Sequence, residues 1–358
     1  MEAGLEPVRI LSPLGDREWV KVSHNRFFGY NLLDEVKNGS VKFLKKGVLL
    51  FFLVFVISLI LGRYFFIPWN MSEVEKAILV DVRLPRILIV SLSGASLGLA
   101  GVTFQNLFRN YLAGPGILGV TSGSAFGAAV AILLFPINYL IQGFSFIFGL
   151  ISVFLSYSLG RKLGSTVLSL VLAGMVISAF FSALLGLVKY LADPYNKLPT
   201  IVFWLLGSFT GVRWSDLTLA LVPMLLGITG MLCLRWIYNV LSAGDEEAKA
   251  LGVDVRKYRT LSILLATLAT SAVTSVAGII TWIGVVAPHV ARLMVGSDNR
   301  RLVPMTAMVG ALLLLVCDDL ARILTASELP LSVVTNIVGA PVLFAILVRK
   351  KGVLYAKD

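Results

Sequence analysis

The sequence predicts an all-α, polytopic membrane protein of about ten transmembrane helices, and three observations carry that prediction. Apolar residues make up 57% of the 358 residues and charged residues only 14%, whereas a soluble chain is about half apolar and a quarter charged. The mean hydropathy is +0.88. There is too little polar material to coat a globule of this size, so lipid must solvate much of the surface. At roughly 20 residues per helical crossing plus short loops, about 300 residues supply eight to ten spans.

The elements follow in order from apolar runs punctuated by charge, Gly and Pro. Residues 1–46 are mixed and polar and end in Lys42, Lys45 and Lys46. A cleavable signal would begin its apolar core much earlier, so this segment reads as a cytoplasmic tail whose lysines hold the inner boundary. A membrane domain over 47–351 then carries spans near 47–67, 86–108, 117–135, 139–159, 166–191, 215–240, 260–280, 283–296, 303–324 and 332–348. Segment 199–211 reads as a re-entrant or interfacial helix, and 352–358 as a short cytoplasmic tail. Small residues recur inside the spans, as in Gly94, Ala95, Gly98 and Gly101, where they let helix backbones approach closely.

Ten crossings put both termini on one side. With the termini inside, the inner segments collect roughly three times the Lys and Arg of the outer ones, as the positive-inside rule requires. The +11 net charge is thereby placed at a membrane face, and a nucleic-acid partner is not needed to explain it. Cys233 and Cys317 lie in apolar runs and His24 and His289 lie far apart, which argues against a disulfide framework, a zinc site or any other metal centre.

Four clusters of residues carry chemistry. The first is the cytoplasmic stretch 242–259, containing Gly244, Asp245, Glu246, Glu247, Ala248, Leu251 and Gly252. Asp245 is placed to cap a short helix stopping at Gly252, and Asp254 to cap a following turn with Arg256 and Lys257. Short helices with so little apolar surface need a soluble partner to dock on. The second is Asp81-Val82-Arg83-Leu84-Pro85-Arg86, where Pro85 suits a first helical turn and the outward arginines run against the charge bias. The third is Asp318, Asp319 and Arg322, with each carboxylate sharing a helix face with the arginine. An ion pair is expected for Asp318; a titrating carboxylate pair in a proton- or sodium-coupled transporter is the competing reading. The fourth is His289 after Pro288, expected to be buried and satisfied by a backbone carbonyl. No Gly-x-x-x-x-Gly-Lys-Ser/Thr run occurs, so any ATPase driving this chain must be a separate polypeptide.

In this order the clusters resemble the permease subunits of type II ABC importers, the family that takes up iron–siderophores, haem and cobalamin. The resemblance spans residues 45–351. Its marks are Arg83-Leu84-Pro85-Arg86, Gln105-Asn106-Leu107-Phe108-Arg109-Asn110, Gly114-Pro115-Gly116, Trp204-Leu205-Leu206-Gly207-Ser208, Gly244-Asp245 with Leu251-Gly252-Val253, Pro288-His289-Val290-Ala291-Arg292, Ala321-Arg322, Glu328-Leu329-Pro330 and Gly339-Ala340-Pro341. It implies a homodimer with the pathway at the two-fold interface, and no cofactor on this chain. ATP and Mg would be held by two partner ATP-binding subunits docked on residues 244–258. It also implies an extracytoplasmic substrate-binding protein that sets acidic residues on Arg83, Arg86 and Arg322, and an inner gate at Asn110, Leu112, Ser165 and Thr166. Family members usually carry Pro where this chain has Tyr111, which changes the shape of the gate. Asp319 is an additional acid with no family role. An iron chelate is the expected cargo, with haem, cobalamin and oxyanions such as molybdate as alternatives.

Overall fold

The computed structural model describes residues 7–11, 17–21, 47–62, 71–135, 137–164, 166–325 and 327–355. Thirteen helices are described. They are α1 (Gly47–Ile60), α2 (Glu73–Phe108), α3 (Val120–Leu134), α4 (Asn138–Lys162), α5 (Val167–Leu191), α6 (Lys197–Leu205), α7 (Trp214–Cys233), α8 (Arg235–Ala243), α9 (Asp245–Ala250), α10 (Val255–Ala277), α11 (Ile283–Val295), α12 (Asn299–Ile323) and α13 (Leu331–Tyr355). Six are long and apolar enough to cross a membrane, and α1, α3, α11 and α13 supply shorter apolar stretches. Together they correspond to the ten expected spans. In the tail, β1 (Pro7–Leu11) and β2 (Arg17–Lys21) pair antiparallel, the one non-helical element among the described residues.

Helix α2 is the hub. It packs against α7, α10, α11 and α12, and 83% of its most apolar window is buried, against 22% for α5. Its residues enter both large apolar cores. Ile87 and Val90 join Leu314 and Met224 in one; Phe104 and Leu107 join Met231 and Leu302 in the other. The small residues make this packing possible. A Cβ on Gly101 would stand 1.7 Å from the Gly284 carbonyl oxygen, and those on Gly94 and Gly310 would each meet the other's carbonyl at 2.3 Å. With no water-driven force between helices in lipid, such backbone approach supplies the van der Waals contact that holds them.

Several boundaries differ from the sequence expectation, each for a local reason. Span two starts outside the apolar run, because Ser72 and Glu75 form a capping box that nucleates the helix at Glu73. Pro85 then lies within a continuous helix rather than at its start. The turn Ile78–Arg83 is a π-helix, in which hydrogen bonds run five residues back and tolerate an insertion just before a proline. The run 215–240 is two helices broken at Leu234. The span expected from residue 260 begins at Val255, capped by the Asp254 side chain, which accepts from the Lys257 N–H at 3.0 Å.

Candidate functional site

On the face where the 242–259 stretch lies, α8 ends at Gly244, whose φ of 146° only glycine adopts readily. Helix α9 follows. Asp245 is not its cap, as the sequence suggested: the cap position is Gly244, and the Asp245 carboxylate instead takes two hydrogen bonds from Arg259 Nη2, at 2.7 and 2.8 Å. The Arg259 hydrogen bonds hold the Asp245 carboxyl below its usual range, against a smaller opposing effect of burial. Arg109, the first residue after α2, lies 3.8 Å from the same carboxylate. Ala248 is fully buried and anchors α9 from beneath. Glu246, Glu247 and Gly252 are exposed, and Leu251 presents an apolar tip that is 67% exposed.

Between α9 and the α4–α5 connection lies an open groove of about 720 Å³, lined by Arg109, Arg161, Thr166, Leu168, Glu246 and Arg256 among others. Thr166 caps α5, its hydroxyl accepting from the Ser169 N–H at 3.1 Å. Ser165, the other gate residue expected here, lies outside the described residues. The groove brings Thr166 together with Asp245, Glu246 and Glu247, which the sequence had only placed about 80 residues apart. Asn110 and Leu112 are exposed on the loop that follows Arg109. Asn110 Oδ1 accepts from the Leu112 N–H at 2.9 Å, a local turn that sets the loop's shape. The Arg109–Asp245 contact therefore ties the start of this loop to the start of α9.

Tyr111 also has a place. Arg292 Cζ stands 4.4 Å from its ring centroid, and His289 meets the ring edge-on with centroids 6.4 Å apart. Where proline would leave the loop without these contacts, tyrosine stacks it onto α11 through a cation–π interaction. His289 is buried with Nδ1 2.8 Å from the Val285 carbonyl oxygen, as expected. Arg292 Nη2 donates to Gln105 Oε1 at 3.0 Å. Above them a cavity of about 200 Å³ is lined by Leu97, Gly114, Thr121, Thr274, Trp282 and Val285 among others. Trp282 holds a positive φ of 68°, a strained conformation for a bulky residue. The sequence offered Gln105 only as part of a motif, without its contact to Arg292, and did not single out Trp282. For Trp282 the signal was the Gly278-to-Ile283 break between two apolar runs.

The opposite end of α2 corrects an expectation. Arg83, Arg86 and Arg322 do not stand as free cations for an external partner; all three are buried. Arg86 bonds Asp318 through Nε and Nη2, at 3.0 and 2.9 Å, and Glu328 through Nη1 and Nη2, at 3.0 and 2.8 Å. Arg322 lies 3.3 Å from Asp318 and pairs closely with Asp319. Arg83 Nη1 donates to the Leu59 and Ile60 carbonyls at 2.7 Å each, and Arg322 reaches the Ser58 carbonyl at 3.3 Å. Both thus satisfy the orphan carbonyls at the end of α1. Asp319 accepts from Ser58 Oγ at 2.5 Å, so the additional acid ties α1 to α12. Burial would raise the Glu328 carboxyl, but Arg86 and the Thr210 hydroxyl outweigh it and hold it low. Three arginines and three acids balance within this network. Asp318 and Asp319 are committed to ion pairs, which removes the basis for reading them as a titrating pair.

Residues 49–349 match the FecCD transport family. The chain belongs to that family. Its members are permease subunits of ABC transporters, which have no ATPase site of their own. Relatives include the molybdate import system permease protein MolB of Haemophilus influenzae, 40% identical over 84% of this chain and 94% of the relative. A probable iron chelatin transport system permease protein of Helicobacter pylori is 40% identical over 77% and 84%. The hemin transport system permease protein HmuU of Yersinia pestis is 36% identical over 79% and 87%. A solved structure described as an inward-facing conformation of a metal-chelate type ABC transporter superposes with a TM-score of 0.82, at 40% identity, covering 86% of this chain and 99% of that one.

Proposed function

We propose that this FecCD permease works as a homodimer in the cytoplasmic membrane, with both termini inside, and imports a metal chelate, an iron chelate first among the candidates. Two ATP-binding subunits seat on the groove beside α9, and an extracytoplasmic binding protein delivers the cargo. The observation that carries the reading is the groove itself. It joins an acidic helix with an exposed apolar tip, Leu251, to the loops before α5 and after α2. Closure of an ATPase dimer against α9 would therefore be felt directly at Arg109 and Thr166, and through them at Asn110 and Leu112. The apolar faces of α5 and α13, including Met175, Phe180, Ile337 and Phe344, are exposed in the single chain and suit either lipid or a second copy. The relatives' names span molybdate, iron chelate and haem, so all three stay in play as cargo.

Reconstitution in nanodiscs with the ATPase subunits tests this. Replacing Glu246, Glu247 and Gly252 together with alanine should leave ATP hydrolysis by the ATPase intact while abolishing uptake. Normal uptake by that variant removes the docking assignment. Affinity of the partner binding protein for a ferric chelate, haem, cobalamin and molybdate then decides the cargo; preference for molybdate would overturn the iron-chelate choice.

A further inference from the structure

Gln105 and Arg292 meet where α2 and α11 end, below the 200 Å³ cavity. On α2, Leu97, Gly101 and Gln105 recur every four residues and share one face; on α11, Val285, His289 and Arg292 stand four and three apart and likewise share one. Leu97 and Val285 line the cavity, so both faces run from it toward Gln105 and Arg292, about 10 Å further along at 1.5 Å per residue. Gln105 is only 2% exposed. Its Oε1 accepts from Arg292 Nη2, which fixes the amide: the reverse orientation would set two donors against each other. Its Nε2 consequently points away and has no partner, and Arg292 Nη1 has none either. Both are obligate donors. They flank a single 3.0 Å hydrogen bond, and the only aromatic face on the guanidinium is Tyr111 among the described residues. No acid pairs with Arg292 among the described residues. This contrasts with Arg86 and Arg322, which are paired with carboxylates.

We propose that Arg292 Nη1 and Gln105 Nε2 form a receiving site for an oxygen-bearing anionic group of the cargo at the inner end of the path, with Tyr111 as its movable cover. A planar guanidinium and an amide N–H₂ joined through one hydrogen bond leave donors suited to the oxygens of a carboxylate, phosphate or tetrahedral oxyanion. A positive charge held without a counter-ion draws such a group from the cavity, and the absence of a full cage lets it go. The site rests on the importer reading only for the direction of travel, so binding is measured without ATP or transport.

The experiment is equilibrium dialysis of the full-length permease in nanodiscs against labelled inorganic phosphate and, separately, molybdate. Saturable binding of at least one probe, one per chain, weakened at least tenfold by Arg292→Gln and by Gln105→Leu, supports the site. Gln105→Glu guards against misfolding: its carboxylate would pair with Arg292, keep the contact between α2 and α11, and abolish anion binding. Absence of saturable binding of both probes overturns the proposal, as does binding unchanged in Gln105→Glu. Discs with and without phosphatidylglycerol separate the sources. Equal binding in both supports a cargo group; displacement of the probe by the anionic lipid makes the occupant a headgroup and overturns the cargo assignment. Lost uptake with intact binding would instead count against the importer reading alone.

Discussion

Arg86→Met gives the sharpest test of the outer network. Arg86 is buried and makes hydrogen bonds to two carboxylates, of which Asp318 is wholly inaccessible. Methionine keeps most of the volume but orphans Asp318 and Glu328. Glu328 is partly exposed and can turn to water; Asp318 cannot, and keeps only the longer 3.3 Å contact with Arg322. Removing one partner of a buried pair costs about 3–5 kcal/mol because a charge is left uncompensated. Adding Asp318→Asn to Arg86→Met removes that charge and should recover most of the loss, although Arg322 then relies on Asp319. Thermal unfolding of the four proteins of this cycle, in one detergent and at one protein concentration, gives the coupling. If the double variant is no more stable than Arg86→Met, Asp318 is not the orphaned charge and the network is misassigned. If Arg86→Met unfolds like the parent but loses binding-protein affinity, the arginine serves an external partner after all.

Other perturbations bear on the packing, the groove and the gate loop. Gly101→Ala should destabilise by at least about 1–3 kcal/mol, since the new methyl would overlap the Gly284 carbonyl at 1.7 Å and neither backbone can retreat; the same unfolding assay reads it. Asp245 has a folded-state pKa below its unfolded value of about 3.9. Its contribution is therefore complete above that value and lost as pH falls through the lower folded one. Attachment of α9, followed by hydrogen exchange of its amides, should be flat from pH 8 to 5 and loosen only below about pH 4, whereas Asp245→Asn should loosen it at every pH. Tyr111→Phe should keep the stack on Arg292 and Tyr111→Ala should lose it, at a cost of about 0.5–2 kcal/mol; tracer leak through proteoliposomes without ATP should rise for alanine and not for phenylalanine.

The helices were legible because lipid leaves so little choice. An apolar run of sufficient length must close its own hydrogen bonds, and helix is the form that does so. The π-turn at Ile78–Arg83 was not legible, because it depends on how Pro85 is accommodated within a helix that starts earlier than its apolar run. The clusters were found by sequence, but their states were not. Arg83, Arg86 and Arg322 were noticed as exceptions to the positive-inside bias; what distinguishes an exposed anchor from a buried ion pair is the partner. Those partners are remote along the chain: Leu59 is 24 residues from Arg83, Asp318 and Glu328 are 232 and 242 from Arg86, and Ser58 is 264 from Arg322. The positions of Asn110, Leu112 and Thr166 were easier to anticipate, since they sit on loops whose place follows from the helices flanking them. Tyr111 looked like a defect in the motif and proved to be the ring under Arg292. No spacing rule could have found that, because the two residues are joined only by the packing of α2 on α11.

The two ends of α2 set up opposite conditions about 40 Å apart, from Arg83 to Arg109 at 1.5 Å per residue. At one end Arg86 and Arg322 are matched by Asp318, Asp319 and Glu328 while Arg83 holds backbone carbonyls, and the contacts cross from α1 to α12 and to the loop before α13. Separating those elements would expose or orphan several buried ions at once, so α1, α2, α12 and that loop behave as one body. At the other end the charges are in excess: Arg109 shares Asp245 with Arg259 at a longer distance, and among the described residues Arg292 has only Tyr111 and Gln105. Contacts of that kind can be exchanged for others without leaving a buried charge alone. Re-packing therefore belongs at this second end, around the α9 groove and the 109–114 loop. It belongs also to the least buried helices, α4, α5 and α7, whose apolar faces meet lipid or another chain instead of this core. The distribution of charge along α2 thus separates a fixed end from a working end.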